Sequence, residues 1–398
     1  MQYRNYGKTG YQVSAFGMGC MRLPRIVTGD HSDVDREKAW EMIRYAADHG
    51  VNYFDTAYGY HNKTSEEVLG EALAEGGRRE KVKIVTKQPF GTMEDLKTGG
   101  GKNVLDNARR NLENTLRKLR TDYIDVYLIH NIGKSTWEDI KKNKVIEEYE
   151  KFRAEGLIRG IGYSYHGDYP TFKEVLDFYS WDMCQIQQNL IDVEREATEE
   201  AIHQAGKKGC ALVIMEPIRG GNLAFPPAAI QAIYDEYKAP GAKAPRSGVE
   251  WAFRHVINYP EVSTILSGVT TMEQLKDNIE IFSKPDAVPN CLNDEEKKII
   301  TRAREKYLSL KSIPCTACEY CLPCPKGVNI PGVFTRYNDG VMFGTFDPSR
   351  RAYMFQTRSN QDASLCVGCR ACEKKCPQHI EITAQLKVAH ERLKGWVE

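Results

Sequence analysis

Eight short apolar runs, each followed by a helix-like amphipathic stretch, fill residues 13–282 of this 398-residue chain. The runs are Ala15–Cys20, Tyr53–Ala57, Val82–Lys87, Ile124–His130, Gly160–Ser164, Met183–Asn189, Ala211–Pro217 and Val262–Gly268. The stretches after them are Asp35–Gly50, Ser65–Glu75, Leu105–Leu119, Val145–Glu155, Phe172–Tyr179, Ala197–Lys208, Arg246–Tyr259 and Met272–Phe282. Gly50, Gly156 and Gly209 stand where a helix C-cap is expected. Strands that are apolar throughout and lie between helices imply a parallel sheet covered by those helices. Eight such pairs over this length predict an α/β fold, a (β/α)8 TIM barrel. A doubly wound sheet would place a Gly-rich phosphate turn after the first strand, and Gly17 and Gly19 open no G-x-G-x-x-G there. The run Gly99 to Gly101 has no P-loop context and reads as a flexible surface loop.

Past Phe282 the pattern breaks. A Pro-containing segment, Lys284 to Pro289, precedes a charged helix capped by Asn293 and Asp294 and running to about Lys311. Eight of the twelve cysteines follow in two runs, Cys315, Cys318, Cys321, Cys324 and Cys366, Cys369, Cys372, Cys376, each ending in Cys-Pro. A helix is expected around Gly332–Tyr337 between the runs, and a last amphipathic helix at Thr383–Lys394. The division this predicts is a barrel over 1–290, a helical linker over 291–311 and a small, mainly helical iron–sulfur domain over 312–398.

The second cysteine run has the bacterial ferredoxin spacing C-x2-C-x2-C-x3-C-P, and the first differs only in its last gap. Such runs hold 4Fe–4S clusters, three cysteines wrapping one face of a cubane while the fourth serves the other cluster. On that pattern Cys315, Cys318, Cys321 and Cys376 hold one cluster, and Cys366, Cys369, Cys372 and Cys324 the other. Disulfides would suit a secreted chain, but Met1 to Gly10 is polar and carries no signal peptide. Structural zinc favours paired knuckles over three consecutive two-residue gaps. Cys20, Cys184, Cys210 and Cys291 are scattered and read as small buried apolar residues. With 55 Lys+Arg against 54 Asp+Glu, nothing suggests a nucleic-acid or anionic-membrane partner. No apolar run approaches the ~20 residues of a membrane span, so a cytoplasmic location is expected.

Asp55, Tyr60, Lys87 and His130 lie at or just past the ends of the second, third and fourth predicted strands. In a barrel those ends share one mouth, where active sites of this fold sit. Together they make an acid–base set. A tyrosine with its ordinary pKa of ~10 is a poor acid–base group at neutral pH. The Lys87 ammonium is expected to lower that value, with Asp55 holding the ammonium in place. His130 can hydrogen-bond a substrate carbonyl.

The run from Phe54 to Tyr60 (FDTAYGY) and the SEEVLG from Ser65 to Gly70 resemble the signature of the aldo-keto reductases. Ile84 to Lys87 (IVTK) resembles the family's lysine strand, and Asp125 to His130 (DVYLIH) its histidine strand. The resemblance covers residues 3–282, and the whole chain resembles the branch with a C-terminal ferredoxin-type module. It implies NAD(P)H-dependent reduction of an aldehyde, ketone, quinone or sugar by hydride transfer. Tyr60 is then the proton donor, Lys87 and Asp55 tune it, and His130 orients the carbonyl.

The resemblance also implies the cofactor contacts, with NADP or NAD as cofactor. These are Gly19, Cys20, Met21 and Asp55; Ser164, with Tyr165 where Asn is expected; and Gln185. From the later loops come Met215 in place of a stacking ring, Glu216, Pro217, Ile218, Gly220, Gly268, Thr270, Gln274 and Asn278. Gln274 falls where many members place an arginine against a 2′-phosphate, which argues against strict NADPH preference. The pocket wall is expected from Met21, Arg22, Tyr58, Tyr163, Tyr165 and the loop 131–144 with Trp137. Hydride chemistry is complete without clusters, so the two 4Fe–4S clusters read as staples of a small cysteine-rich module. The alternative is an electron-transfer protein, its barrel binding nicotinamide or flavin and its clusters passing electrons to a ferredoxin or flavoprotein. No motif specifies the carbonyl substrate or the oligomeric state.

Overall fold

Each of the eight apolar runs forms a strand: β1 Phe16–Gly19, β2 Tyr53–Asp55, β3 Lys83–Pro89, β4 Val126–Ile132, β5 Ile161–Tyr165, β6 Met183–Gln187, β7 Ala211–Met215 and β8 Val262–Ser267. They pair in chain order, all parallel, and β8 closes on β1. The result is the predicted eight-stranded barrel. The computed structural model describes residues 1–28, 31–89, 104–238, 240 and 245–395, and the Gly99 to Gly101 run lies outside them. A helix follows every strand: α1 Arg36–Asp48, α2 Ser65–Leu73, α3 Val104–Leu119, α4 Val145–Ala154, α5 Tyr169–Phe178, α6 Thr198–Lys207, α7 Gly248–Ile257 and α8 Met272–Ser283. Side-chain caps start several of them. Asp35 accepts from Lys38 N–H, Asp168 from Thr171 N–H, and Thr271 from Gln274 N–H, each satisfying an amide that has no partner within its helix.

The strand pleat sorts the residues into two layers. Phe16, Phe54, Ile84, Tyr127, Ile129, Ile161, Tyr163, Cys184, Ile186, Leu212, Ile214 and Ile265 pack outward into the main core. Tyr53, Val85, Val126, Leu128, Met183, Ala211, Val213 and Leu266 fill the inside of the barrel. An N-terminal hairpin, Tyr3–Asn5 with Gln12–Ser14, brings Tyr6 and Val13 into that inner cluster. Tyr6 packs against Tyr53 at the N-terminal end of β2, with centroids 5.8 Å apart, so the hairpin plugs that end. Only the mouth at the strand C-termini is left for chemistry. Gly162 is set by this packing, because an added Cβ would lie 2.6 Å from Met183 O and 2.7 Å from Leu128 Cδ2.

The chain divides into two compact units, Met1–Gly220 with Val249–Asp294, and Gly221–Gly248 with Glu295–Glu398. The second is helical, with Ala228–Asp235, Asp294–Ser309, Ile330–Phe343, Asp347–Arg358 and Ile382–Leu393. Its core gathers Ile313, Val328, Ile330, Val333, Phe334, Tyr353, Ile380, Ile382, Leu386 and Leu393, and six cluster-run cysteines pack against it. Buried Asn338 exchanges two hydrogen bonds with the Ile313 backbone, at 2.9 and 2.8 Å, just before Cys315.

Several elements were not anticipated. They are the two hairpins (the second is Arg25–Thr28 with His31–Val34) and the helices Lys134–Lys142, Ala228–Asp235 and Asp347–Arg358. The expected loop 131–144 is thus largely helix. Its Trp137 is wholly buried, packs edge-on to Phe178 and donates to Glu174 at 2.7 Å. It does not line the mouth.

Candidate active site

The inner layer changes character toward the strand C-termini. Two residues beyond Tyr53 comes Asp55; beyond Val85, Lys87; beyond Leu128, His130; beyond Gly162, Ser164; beyond Met183, Gln185. With a side-chain period of two, all five share the inner face with their apolar predecessors. An apolar barrel interior therefore ends in a polar ring.

Lys87 is 1% exposed and Asp55 3%, so neither charge is solvated. The Lys87 ammonium donates to Asp55 Oδ1 at 2.5 Å, to Thr56 O at 2.8 Å and to the Tyr60 hydroxyl at 3.4 Å. Its three protons therefore each have an acceptor. The Tyr60 ring meets His130 edge-on, with centroids 6.0 Å apart. Burial opposes the Lys87 charge, but Asp55 and Tyr60 outweigh it and hold the lysine above its ordinary value. Burial raises the Asp55 carboxyl against the pull of Lys87. It also raises the Tyr60 phenol, with Lys87 acting the other way. The expected lowering of Tyr60 is thus reversed, because removing the phenolate from water costs more than one ammonium returns. Burial, then the charges of Lys87 and His166, push His130 down to about 3, so its imidazole is neutral.

Tyr60 is positioned by a turn that the sequence did not announce. His61, Asn62 and Lys63 follow it at φ 49°, 51° and 72°. Three successive left-handed residues without a glycine cost roughly 1 kcal/mol or more each. Thr64 closes the turn onto His61 O, and His61 Nε2 accepts from the Leu23 amide at 3.2 Å. Burial pushes His61 down to about 4, which keeps it an acceptor.

The residues assigned to a cofactor form two groups. Gln185 lies beside Met215, its Nε2 3.8 Å from the sulfur, while its buried Oε1 has no hydrogen-bond partner. Ser164 Oγ accepts from the Asn131 amide at 2.8 Å, leaving its own proton free to donate. Cys20 is fully buried, Met21 is exposed, and Gly19 ends β1 at the mouth. Glu216 takes up φ 56° and accepts from Gln187, followed by buried Pro217 and half-buried Ile218. The second group is the turn after β8. There the Thr270 amide donates to Gln274 Oε1 at 2.9 Å, and Asn278 Nδ2 donates to Ser267 Oγ at 3.0 Å. Gln274 is folded back on its own turn, and Lys276 lies over the Tyr45 ring at 5.4 Å.

Two expected wall residues face the other way. Tyr163 and Tyr165 pack outward among Trp181 and Phe172, and the Tyr165 hydroxyl donates to Asp168 O at 2.6 Å. The pleat that turns Ser164 inward requires this. Past β5, His166 pairs with Glu196 at 3.2 Å, close enough to depress His130. Neither His61 nor His166 had a sequence signal.

In the second unit, Cys315, Cys318, Cys321 and Cys376 line one recess with Ile330, Phe334, Ile380 and Ile382. None of the eight cysteines is in a disulfide. The two runs share a backbone. Ala317 and Glu319 sit at φ 56° and 64°, and their counterparts Gly368 and Arg370 at 73° and 56°. Gly327 and His379, each three residues past a Cys-Pro cysteine, are at 79° and 51°, and each bonds back to that cysteine's carbonyl. Ile330 and Ile382 then open matching helices. The repeated C-P-x-x-V/I-x-I text was the available signal. Left-handed residues thus flank the middle cysteine of each run, and in the first run the three spaced cysteines line one recess. Among the described residues no three ligating side chains converge on one point as a single-ion site would need.

Residues 16–290 match the Aldo/keto reductase family. The chain belongs to the aldo/keto reductase family. Residues 314–381 of this reductase match the 4Fe-4S dicluster domain. It is 28% identical over 329 residues to the uncharacterized oxidoreductase YrpG of Bacillus subtilis, covering 74% of this chain and 95% of that protein. Aldo-keto reductase AKR11C1 from Bacillus halodurans, in its holo form, aligns at TM-score 0.61 and 25% identity over 76% of this chain and 96% of that one. An aldo/keto reductase from Klebsiella pneumoniae, solved with NADP and acetate, shares the fold at TM-score 0.57 and 24% identity, covering 75% and 94%. Among the described residues no helix is long and apolar enough to cross a membrane.

Proposed function

We propose that this reductase uses NAD(P)H to reduce a carbonyl group, with Tyr60 as the proton donor. The observation that carries the reading is the Lys87 ammonium shared between Asp55 and the Tyr60 hydroxyl beside a neutral His130. The fit of a dinucleotide rests on Gln185 Oε1, a buried acceptor without a partner, next to a Ser164 hydroxyl free to donate. That pair suits a carboxamide. When bound, the reduced dinucleotide supplies a hydride to the carbonyl carbon. His130 hydrogen-bonds the carbonyl oxygen and orients it. Tyr60 gives that oxygen its proton, so the product is an alcohol. Lys87 stabilises the phenolate left on Tyr60, and Asp55 with Thr56 O keeps the ammonium in place. With Gln274 and Lys276 both engaged elsewhere, NADH and NADPH are both accepted.

Two 4Fe–4S clusters are held by Cys315, Cys318, Cys321 and Cys376, and by Cys366, Cys369, Cys372 and Cys324. Supporting this are the recess shared by the first set and the duplicated backbone of the two runs. Six of these thiols pack on the small core of their unit, which supports a stapling role. The test is anaerobic purification with iron and sulfide counts, followed by a panel of aldehydes, ketones, quinones and sugars with each cofactor. Consumption of NAD(P)H matched by alcohol formed supports the reading. Cluster reduction by NAD(P)H at a turnover-competent rate, with no alcohol formed, would favour the electron-transfer alternative.

A further inference from the structure

Glu66 is a fully buried carboxylate that the chemistry at the mouth leaves unused. It lies in the first turn of α2. Its Oε1 accepts from Thr86 Oγ1 at 2.8 Å and from Thr115 Oγ1 at 3.1 Å. Thr86 directly precedes Lys87 on β3, and Thr115 lies on α3. Its Oε2 accepts no hydrogen bond among the described residues, and the Lys118 ammonium, also of α3, stands 3.7 Å from it. The Lys118 side chain is only 11% exposed. Two charges so far removed from water compensate each other, and neither is easily lost alone.

Lys118 carries this pair toward the mouth. Its Nζ donates to Lys63 O at 2.6 Å and lies over the Tyr58 ring, 5.1 Å from the centroid. Lys63 is the last of the three left-handed residues that follow Tyr60. Backbone in that region persists only where its surroundings hold it. Tyr58, on the other side of Tyr60, is tied to β3 by its amide, which donates to Lys87 O at 3.1 Å. One ammonium thus grips the loop on both sides of Tyr60, while the carboxylate behind it bonds the neighbour of Lys87. Resting on the reading of Tyr60 as proton donor, we propose that Lys118 is a positioning residue for that step. Seated on Glu66, it locks the turn 61–63 and so fixes the Tyr60 hydroxyl against Lys87. Its ammonium is directed at Glu66, Lys63 O and the Tyr58 ring, so it acts on the reaction only through Tyr60.

The experiment measures steady-state carbonyl reduction by full-length, cluster-loaded wild type, Lys118→Met and Lys118→Arg, each with and without Tyr60→Phe. Lys118→Met should lower kcat roughly ten- to a hundredfold, while KM for the carbonyl and the dissociation constant for NADPH hold. Arginine keeps the charge and a donor for Lys63 O, so Lys118→Arg should recover most of the rate. With Tyr60→Phe present, Lys118→Met should cost nothing further, because two residues that act through one group are not additive. The double variant Glu66→Gln, Lys118→Met strands no charge, so it should fold and show the same loss of kcat. Wild-type kcat in Lys118→Met, or in the double variant where the single one does not fold, overturns the proposal. So does an equal loss in the Tyr60→Phe background, which would make Lys118 a general support of the barrel. Wild-type kcat in Tyr60→Phe alone overturns the proton-donor reading instead.

Discussion

Lys87 and Asp55 form an ion pair at 2.5 Å in which both side chains are almost wholly removed from water. Such a pair contributes little net stability, but removing one partner strands the other charge. Lys87→Met should therefore destabilise the barrel by about 3–5 kcal/mol. The double variant Asp55→Asn, Lys87→Met should recover much of that loss. Urea midpoints of the three proteins check this, and a double variant less stable than Lys87→Met would count against the pair's isolation.

The rate of carbonyl reduction should vary little with pH. Reduction needs Tyr60 protonated, and burial raises its pKa, so its alkaline limb moves above the ordinary tyrosine range. His130 is neutral above about 3, so it adds no acid limb near neutrality. The profile of kcat/KM should be flat between roughly pH 5 and 9. An inflection between 6 and 8 that persists in His130→Gln would point to a different group.

Gly162 should not tolerate a methyl group. The added carbon would sit 2.6 Å from Met183 O, inside a filled barrel. Overpacking of this kind costs typically about 1–3 kcal/mol. Gly162→Ala should lower the thermal midpoint and also disturb Ser164 two residues on. A stability equal to wild type would mean that β5 and β6 can separate.

The cysteine pairing predicts which losses are redundant. Cys318→Ser should remove one cluster, about half the iron. Adding Cys376→Ser should remove no more, because both ligate that same cluster. If iron falls to near zero in the double variant, Cys376 belongs with its own run instead. Iron analysis with electron paramagnetic resonance reads the difference.

Much of the barrel was legible because its strands are buried on both faces and read as unbroken apolar runs. The strand hairpins were not, being short and held by context, such as Tyr6 stacking on Tyr11 at 5.2 Å. Asp347–Arg358 carries several arginines and little apolar text, so its helicity comes from contacts such as Tyr353 with the Ala363 amide and His390. In the site, residue types and strand ends brought Asp55, Tyr60, Lys87 and His130 forward as one group, and the fold brings them to one mouth. Which way a side chain faces was less accessible. Tyr165 was expected in the pocket wall, whereas the pleat turns it outward. The direction of the Tyr60 shift was missed for a related reason. Charges can be read from sequence, but the depth of burial that outweighs them cannot.

The most direct test of proton donation by Tyr60 is the Tyr60→Phe variant assayed with NAD(P)H and a carbonyl that wild type reduces. Alcohol formation should fall by about 10²–10⁴-fold, while the dissociation constant for NAD(P)H and the iron content stay at wild-type values. Alcohol formed at an undiminished rate in Tyr60→Phe would contradict the account.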